Sequence, residues 1–309
     1  MLLGPVARLL LAALTLARVG AAHAAEAPLP EPYLLSRFFA GAGLFAPPGV
    51  GTDGSIWIGT GDGYLHALAP DGRYRWSYTV QGRIVAAPRQ DPATGRVFVA
   101  TSEARLYCFE PDSRLRWTFH LPVSAKSEVA LNDKGTAFFV GTDDHLYGVT
   151  SSGAMVLRLA APRARSSPVM LADGRLALVL GEEWARIKGY GWERSPLPAA
   201  PSGAKWALSA RGALLSCDAR RAIVHGARAP ERSVASECLQ PPVEGDAFVA
   251  VAEAGGAVRL HYRGGEVTEI ALGATPLRPV WDAPRRRLVL ASVDGAVRVY
   301  ELPVAGGKP

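Results

Sequence analysis

The sequence lacks the residue patterns that commonly mark catalytic and metal-binding sites. Its three cysteines are far apart, and neither a Cys-x-x-Cys pair nor a Gly-x-Ser-x-Gly elbow occurs. Beyond the first 24 residues no histidines pair at metal-ligand spacing; these histidines are His66, His120, His145, His225 and His261. The sequence therefore predicts neither a metal site nor a hydrolase nucleophile, and it offers no catalytic residue.

Apolar runs long enough to span a membrane are also missing. The run Leu9–Leu14 is too short to cross a bilayer. It follows Arg8 and precedes Ala22-His23-Ala24, which is the arrangement of a signal peptide cleaved before Ala25. No cysteine lies near this site, so we expect no lipid anchor. The pattern predicts a signal peptide over residues 1–24 and a periplasmic or secreted mature chain, residues 25–309.

Neither sign of charge is in large excess. The formal net charge is +6, and removal of Arg8 and Arg18 with the signal peptide lowers it to +4. This mild excess is well short of the basic patches of nucleic-acid-binding proteins. We therefore expect no nucleic-acid partner.

Three cysteines are an odd number for an oxidising compartment. Cys217 and Cys238 lie on adjacent repeats, so a disulfide between them is one alternative. The other is that these two and Cys108 are small, buried apolar side chains. The sequence favours three free thiols and does not decide the question.

A repeat of about forty residues runs through the chain. Short apolar runs end at Gly59-Thr60, Ala100-Thr101, Gly141-Thr142 and Gly181, at spacings of 41, 41 and 40 residues. A polar turn and a second apolar run follow each of the first three, and a Gly- or Asp-containing turn comes next. Four short strands per unit, joined by tight turns, are typical of a β-propeller blade.

The length of the repeat predicts the number of blades. The 285 residues after the signal peptide divide into seven units of about 41, whereas the alternative of eight blades needs about 36 per unit. The seventh unit ends at Pro303 without a fourth strand. Residues Leu34–Phe39 are placed to supply it and so to close the ring, which would otherwise leave two unpaired sheet edges.

The best-defined unit resembles the pyrroloquinoline-quinone-like (PQQ-like) propeller repeat. The resemblance rests on Gly59-Thr60, Asp62–Leu68, Pro70–Gly72 and Trp76, with weaker copies that end at Trp117 and Leu157. It implies a propeller in which Trp76 and Trp117 pack between neighbouring blades.

The resemblance implies two classes of function, because the family contains quinoprotein dehydrogenases and non-enzymatic scaffolds. The dehydrogenases commonly have adjacent cysteines and carry calcium ligands on long insertions, and this chain has neither. We therefore expect no quinone and no calcium, and a monomeric scaffold that binds a protein or another macromolecule of the bacterial cell envelope. A quinone-dependent dehydrogenase or another small-ligand-binding propeller is the alternative.

Charged residues recur near the start of the innermost strands, which surround the axis of a propeller. The candidates for a ligand-binding funnel are Lys126, Arg165, Lys205, Glu237 and Arg278, with Glu128 as a further acid. Converging basic side chains would attract an anionic ligand or an acidic peptide. Alternatively, some of these side chains point outward or pair with acids. For Asp143-Asp144 and Glu182-Glu183, which occupy turns, we expect a role in solubility.

The signal peptide gives a first prediction. Expressed from its own full-length gene, the protein should be recovered from the envelope fraction with Ala25 as its first residue. N-terminal peptide mass spectrometry of the fractionated cells measures this. An intact Met1 in the cytoplasmic fraction would contradict export.

Overall fold

The computed structural model describes residues 31–199, 204–209, 211–225 and 232–303. In this part of the chain 28 strands form seven four-stranded antiparallel sheets, arranged as a seven-bladed propeller. The prediction of seven blades is confirmed and the alternative of eight is wrong. The predicted signal peptide, residues 1–24, lies outside the described residues. No helix in the described part has the length and apolar character needed to cross a bilayer.

Each of the first four blades is a meander of consecutive strands, numbered from the axis outward. Blade 1 contains β2 (Gly49–Val50), β3 (Ile56–Gly59), β4 (Tyr64–Leu68) and β5 (Tyr74–Thr79). Blade 2 contains β6 (Arg89–Gln90), β7 (Val97–Thr101), β8 (Arg105–Phe109) and β9 (Leu115–His120). Blade 3 contains β10 (Ala130–Leu131), β11 (Ala137–Val140), β12 (His145–Val149) and β13 (Met155–Ala160). Blade 4 contains β14 (Val169–Met170), β15 (Leu176–Leu180), β16 (Glu183–Lys188) and β17 (Gly191–Pro196).

The remaining blades follow the same plan, except that the last one borrows a strand. Blade 5 contains β18 (Lys205–Leu208), β19 (Leu214–Cys217), β20 (Arg221–His225) and β21 (Arg232–Ala235). Blade 6 contains β22 (Val243–Glu244), β23 (Phe248–Ala252), β24 (Ala257–Tyr262) and β25 (Val267–Ala271). Blade 7 contains β26 (Val280–Asp282), β27 (Arg287–Ala291), β28 (Ala296–Glu301) and, as its outermost strand, β1 (Tyr33–Phe39).

Strand burial follows position in the blade. The second strands are short apolar runs with both faces covered, and β7 and β15 are buried at every residue. The outermost strands alternate between exposed and partly buried residues, as a half-covered strand does. The turn before β4 needs Gly63, whose φ is +87° and whose added Cβ would lie 2.7 Å from the carbonyl oxygen of Val80.

The hydrophobic core lies between the blades. One cluster joins Phe98 and Cys108 of blade 2 to Phe139 and Tyr147 of blade 3. Trp117, on the outermost strand of blade 2, packs against this cluster and donates a hydrogen bond of 2.8 Å from Nε1 to the carbonyl oxygen of Ser151 in blade 3.

Trp76 occupies the matching position one blade earlier. It packs against a cluster shared by blades 1 and 2, with its ring centroid 5.5 Å from that of Trp57. The two tryptophans therefore each contact a core that spans two neighbouring blades.

The ring is closed by pairing of the first and last described strands. β1 runs antiparallel to β28, with Leu34 opposite Tyr300 and Phe39 opposite Ala296. The predicted closing strand, Leu34–Phe39, is confirmed and begins one residue earlier, at Tyr33. Phe38 packs on the cluster between blades 7 and 1, so closure also completes a core.

A disulfide joins blade 5 to blade 6. Cys217 ends β19, and Cys238 forms an isolated bridge with Glu253 at the start of blade 6, with 5.8 Å between the two Cα atoms. The expectation of three free thiols is therefore wrong for these two. The inner ends of adjacent blades meet here, a proximity that the degenerate repeats of this region hide in the sequence. Cys108 is free and buried, and burial raises the pKa of its thiol to about 12.

Replacing Cys217 and Cys238 by serine should lower the free energy of unfolding by about 3 kcal/mol, because the bond closes a loop with a sequence separation of 21. Urea unfolding of the oxidised protein and the double variant measures the difference. Adding reductant should destabilise the natural protein and leave the variant unchanged. Equal stability of all samples would show that the bond does not contribute.

The neighbours Phe38 and Phe39 form a matched pair for testing closure. Phe38→Ala should cost about 2 kcal/mol of unfolding free energy, because it removes a ring from the core between blades 7 and 1. Phe39→Ala should change this free energy by no more than about 0.5 kcal/mol, because the side chain is 64% exposed. Urea unfolding of both variants measures the contrast, and equal losses would contradict the described register.

Candidate functional site

The seven innermost strands surround a cavity of about 650 Å³. Every blade contributes to its wall, which places the cavity on the propeller axis. One lining residue from each blade, in blade order, is Pro47, Arg89, Glu128, Arg165, Lys205, Gln240 and Arg278.

The innermost strands hold these residues at the cavity wall, and most of these strands contact the second strand of their blade at two separate points. In six blades the innermost strand first makes an isolated bridge, as between Ala125 and Gly141, and then a short regular pairing several residues later. In blade 5, Lys205–Leu208 pair continuously with β19. The intervening residues leave the regular ladder and face the cavity. Ser127 fills the gap in blade 3 and Ser166 in blade 4, since each hydroxyl accepts a 2.8 Å hydrogen bond from a backbone N–H of the second strand.

Four of the five predicted funnel residues line this cavity: Lys126, Arg165, Lys205 and Arg278. Glu237 is not part of its lining. In blades 3 and 4 the predicted residue comes directly after the bridge, whereas in blade 6 the residue after the bridge is Leu239. Glu237 precedes the bridge residue Cys238, so the sequence alignment of this degenerate repeat was two residues out of register.

Two of the basic residues pair with acids from the next turn of their own blade. Lys126 Nζ donates to Asp144, and this hydrogen bond lowers the pKa of the Asp144 carboxyl. Arg165 donates at 2.7 Å to Glu182 and at 2.8 Å to the carbonyl oxygen of Ala204 in blade 5. Asp144 and Glu182 therefore do more than keep their turns soluble, and the alternative in which basic residues pair with acids holds for these two.

Arg278 has a different environment. Glu128, on the wall formed by blade 3, is bonded at 2.6 Å to Arg89 of blade 2, a lining residue that the sequence did not single out. Arg278 has no carboxylate at ion-pairing distance within the described residues, although the charge of Glu128 acts on it. Burial lowers the pKa of the Arg278 guanidinium, and the neighbouring Arg89 acts in the same direction.

A second surface lies where blade 7 meets blade 1. Phe39, Phe45 and Val293 are 64%, 56% and 41% exposed, and we call these three residues with Arg83 the closure patch. The backbone N–H of Leu44 bonds at 3.1 Å to the carbonyl oxygen of Val293, which brings these segments together. The Arg83 guanidinium lies 5.3 Å from the centroid of the Phe45 ring.

The closure patch is not evident from the sequence, although the register of one of its residues indicates it. Phe45 directly follows the bridge residue Leu44, and Lys126 and Arg165 directly follow the bridges of blades 3 and 4. Register across the blades therefore places an aromatic ring where later blades carry a charge. The exposure of this ring depends on its surroundings, which only the assembled structure shows.

The residues of the cavity do not fit a quinone held with calcium. Calcium takes six to eight oxygen ligands, typically from several carboxylates and carbonyls. The only carboxylate among the lining residues is Glu128, which is already bonded to Arg89. Nowhere in the described part of the chain do three or more His, Cys, Asp or Glu residues form a group able to hold a metal ion.

Comparison with known proteins finds one matching family model and a similar solved structure. Residues 22–121 match a family model described as outer membrane protein assembly factor BamB. The crystal structure of BamB from Moraxella catarrhalis superposes with a TM-score of 0.55 and 18% identity, over 85% of this chain and 87% of that one. No curated protein matches the sequence. The family match covers the N-terminal repeats, and the structural match shows the propeller fold; both agree with the resemblance to the PQQ-like repeat.

Proposed function

We propose that this protein is a monomeric, non-catalytic scaffold of the cell envelope that binds another envelope protein through the closure patch. The observation that carries the proposal is the exposure of two phenylalanine rings, Phe39 and Phe45, at the two ends of the segment that joins blade 7 to blade 1. Exposed apolar patches of folded proteins commonly mark interaction surfaces.

The chemistry of the patch defines the partner it would take. Phe39 and Phe45 offer apolar area of the kind that dominates the energy of protein interfaces. Arg83 is exposed, lies over one of these rings and forms no ion pair with any described residue. A partner segment with apolar side chains and a neighbouring carboxylate would satisfy both features.

Three observations support a location in the envelope. The N-terminal sequence has the pattern of a signal peptide. The Cys217–Cys238 disulfide favours an oxidising compartment, in which such bonds persist. The matching family model is described as an outer membrane protein assembly factor, which supports a partner in the envelope.

The propeller also has the rigidity that a scaffold needs. Its cores lie between blades, and β1 closes the ring by pairing with β28, so the loops that carry Phe45 and Val293 are anchored at both ends. Binding through such a surface requires little ordering of the free protein and loses little free energy to it.

Site-specific crosslinking tests this function. A photoreactive phenylalanine analogue at position 45 should crosslink one envelope protein in living cells, because the ring at this position of the closure patch is exposed and lies next to Arg83. The same analogue at Tyr190, which is 98% exposed on blade 4, is the control. Equal crosslinking of that protein from both positions would contradict the proposed surface.

The affinity of the identified partner provides the second measurement. Replacing Phe39 and Phe45 together by alanine should weaken binding by at least about 30-fold, as expected for two aromatic contacts at the centre of an interface. Tyr190→Ala should leave the dissociation constant unchanged. Calorimetry with the purified partner measures both, and an unchanged affinity of the double variant would reject the closure patch.

A further inference from the structure

The wall of the central cavity has hydrogen-bond donors without partners. Three lining atoms are buried and unpaired within the described structure: Arg89 Nε, Arg278 Nε and Trp281 Nε1. All three are donors, and no buried side-chain acceptor of the described lining residues is unpaired. Because buried polar groups are normally hydrogen-bonded, a wall with only unpaired donors suits a ligand that brings acceptors.

The wall also has more positive than negative side chains. Its five cationic side chains, Arg89, Lys126, Arg165, Lys205 and Arg278, share the cavity with one carboxylate. Glu128 is bonded to Arg89, and acids outside the cavity pair with Lys126 and Arg165.

The positive charge left over belongs to two residues on different blades. Among the described residues Arg278 has no ion-pair partner. Lys205 Nζ donates at 2.6 Å to the carbonyl oxygen of Leu239, which carries no net charge. A partly buried guanidinium remains protonated, so its charge requires an anion or solvent.

Part of the remaining wall is apolar. Trp206 and Trp281 come from blades 5 and 7, and Pro47, Pro168 and Pro279 from three blades. Trp281 is held by an edge-to-face contact with Phe248, with ring centroids 5.0 Å apart. A volume of about 650 Å³ is in the range of small-molecule sites and leaves little room for a folded protein segment.

We propose that the central cavity is a binding site for a small organic anion, whose carboxylate or phosphate group is held by Arg278 and whose apolar body packs against Trp281 and the prolines. Arg278 offers the forked geometry that both anionic groups accept. Lys205 supplies a second positive charge. The site is independent of the scaffold function, since it shares no residue with the closure patch.

Probe anions of matched shape test this site. Binding of benzoate, phenyl phosphate, acetate and inorganic phosphate is measured by calorimetry and by tryptophan fluorescence, at constant ionic strength. Benzamide is the uncharged counterpart of benzoate. We expect benzoate or phenyl phosphate to bind at least tenfold more tightly than benzamide and than the anion without a ring. The better of the two identifies the anionic group.

Two arginine substitutions distinguish anion binding at Arg278 from a general effect of the net charge of the protein. Arg278→Gln should weaken the better probe by about 10- to 100-fold, the effect of losing a charge-assisted hydrogen bond. Arg73→Gln removes the same charge from an exposed side chain outside the cavity and should have no effect. Without ligand, the melting temperature of Arg278→Gln should equal or exceed that of the natural protein, because an unpaired charge is removed.

Other outcomes overturn the proposal. These are equal binding of benzamide and benzoate, equal weakening of binding by Arg73→Gln and Arg278→Gln, or no binding of any probe at concentrations up to about 10 mM. If Arg278→Gln instead abolishes crosslinking from position 45 and the probes do not bind, the guanidinium belongs to the protein interface. Failure of the closure-patch experiments leaves the anion test unaffected, so the two proposals are rejected separately.

Discussion

The pairing of β1 with β28 is the constraint on which the rest of this molecule depends. A blade buries its apolar faces only against two neighbours, so an open row of blades would expose a core surface at each end. Here six residue pairs of β1 and β28 lie opposite each other in the antiparallel ladder of blade 7. They also seal the cluster that includes Phe38, Leu44 and Val299. Once the ring is closed, the inner strands are held at fixed distances from the axis.

That fixed geometry produces both candidate sites. In six blades the innermost strand departs from regular pairing between its two contacts, and residues of all seven blades face a common cavity. Closure also places Phe39 beside the turn of Val293 and thereby creates the closure patch. One site lies inside the ring and the other at its seam, so they offer different chemistry to different kinds of ligand.

The sequence predicted what repeats and missed what depends on contacts between repeats. The spacing of Gly59, Ala100 and Gly141 was sufficient for the blade count, and the missing last strand was sufficient to assign Leu34–Phe39. The same logic put Lys126 and Arg165 near the axis, and both line the cavity, because their repeats are well defined. It misplaced Glu237, because between residues 185 and 275 the repeat is too degenerate to give the register.

The remaining differences arise from contacts between residues that are distant in the sequence, either across blades or within one blade. The bond between Cys217 and Cys238, the pair of Arg89 with Glu128 and the pairs of the turn acids with Lys126 and Arg165 all join residues at least 17 positions apart. Whether Arg278 has a partner depends on three blades at once. Composition and spacing carry no information about such contacts. The charge of Arg278 therefore could not be identified from the sequence as one without a paired acid among the described residues.

The closing strand has a consequence for the order in which the chain becomes structured. Synthesis produces β1 first, yet its partner β28 lies about 260 residues later. Until β28 has been synthesised, the half-apolar strand Tyr33–Phe39 lacks the strand with which it pairs in the folded protein. The strands of the first six blades are all synthesised in this interval. Such a contact is as non-local as the chain allows, and non-local strand pairing is slow and prone to aggregation. The segment that finally locks the ring is therefore also the one exposed longest to wrong partners during biogenesis.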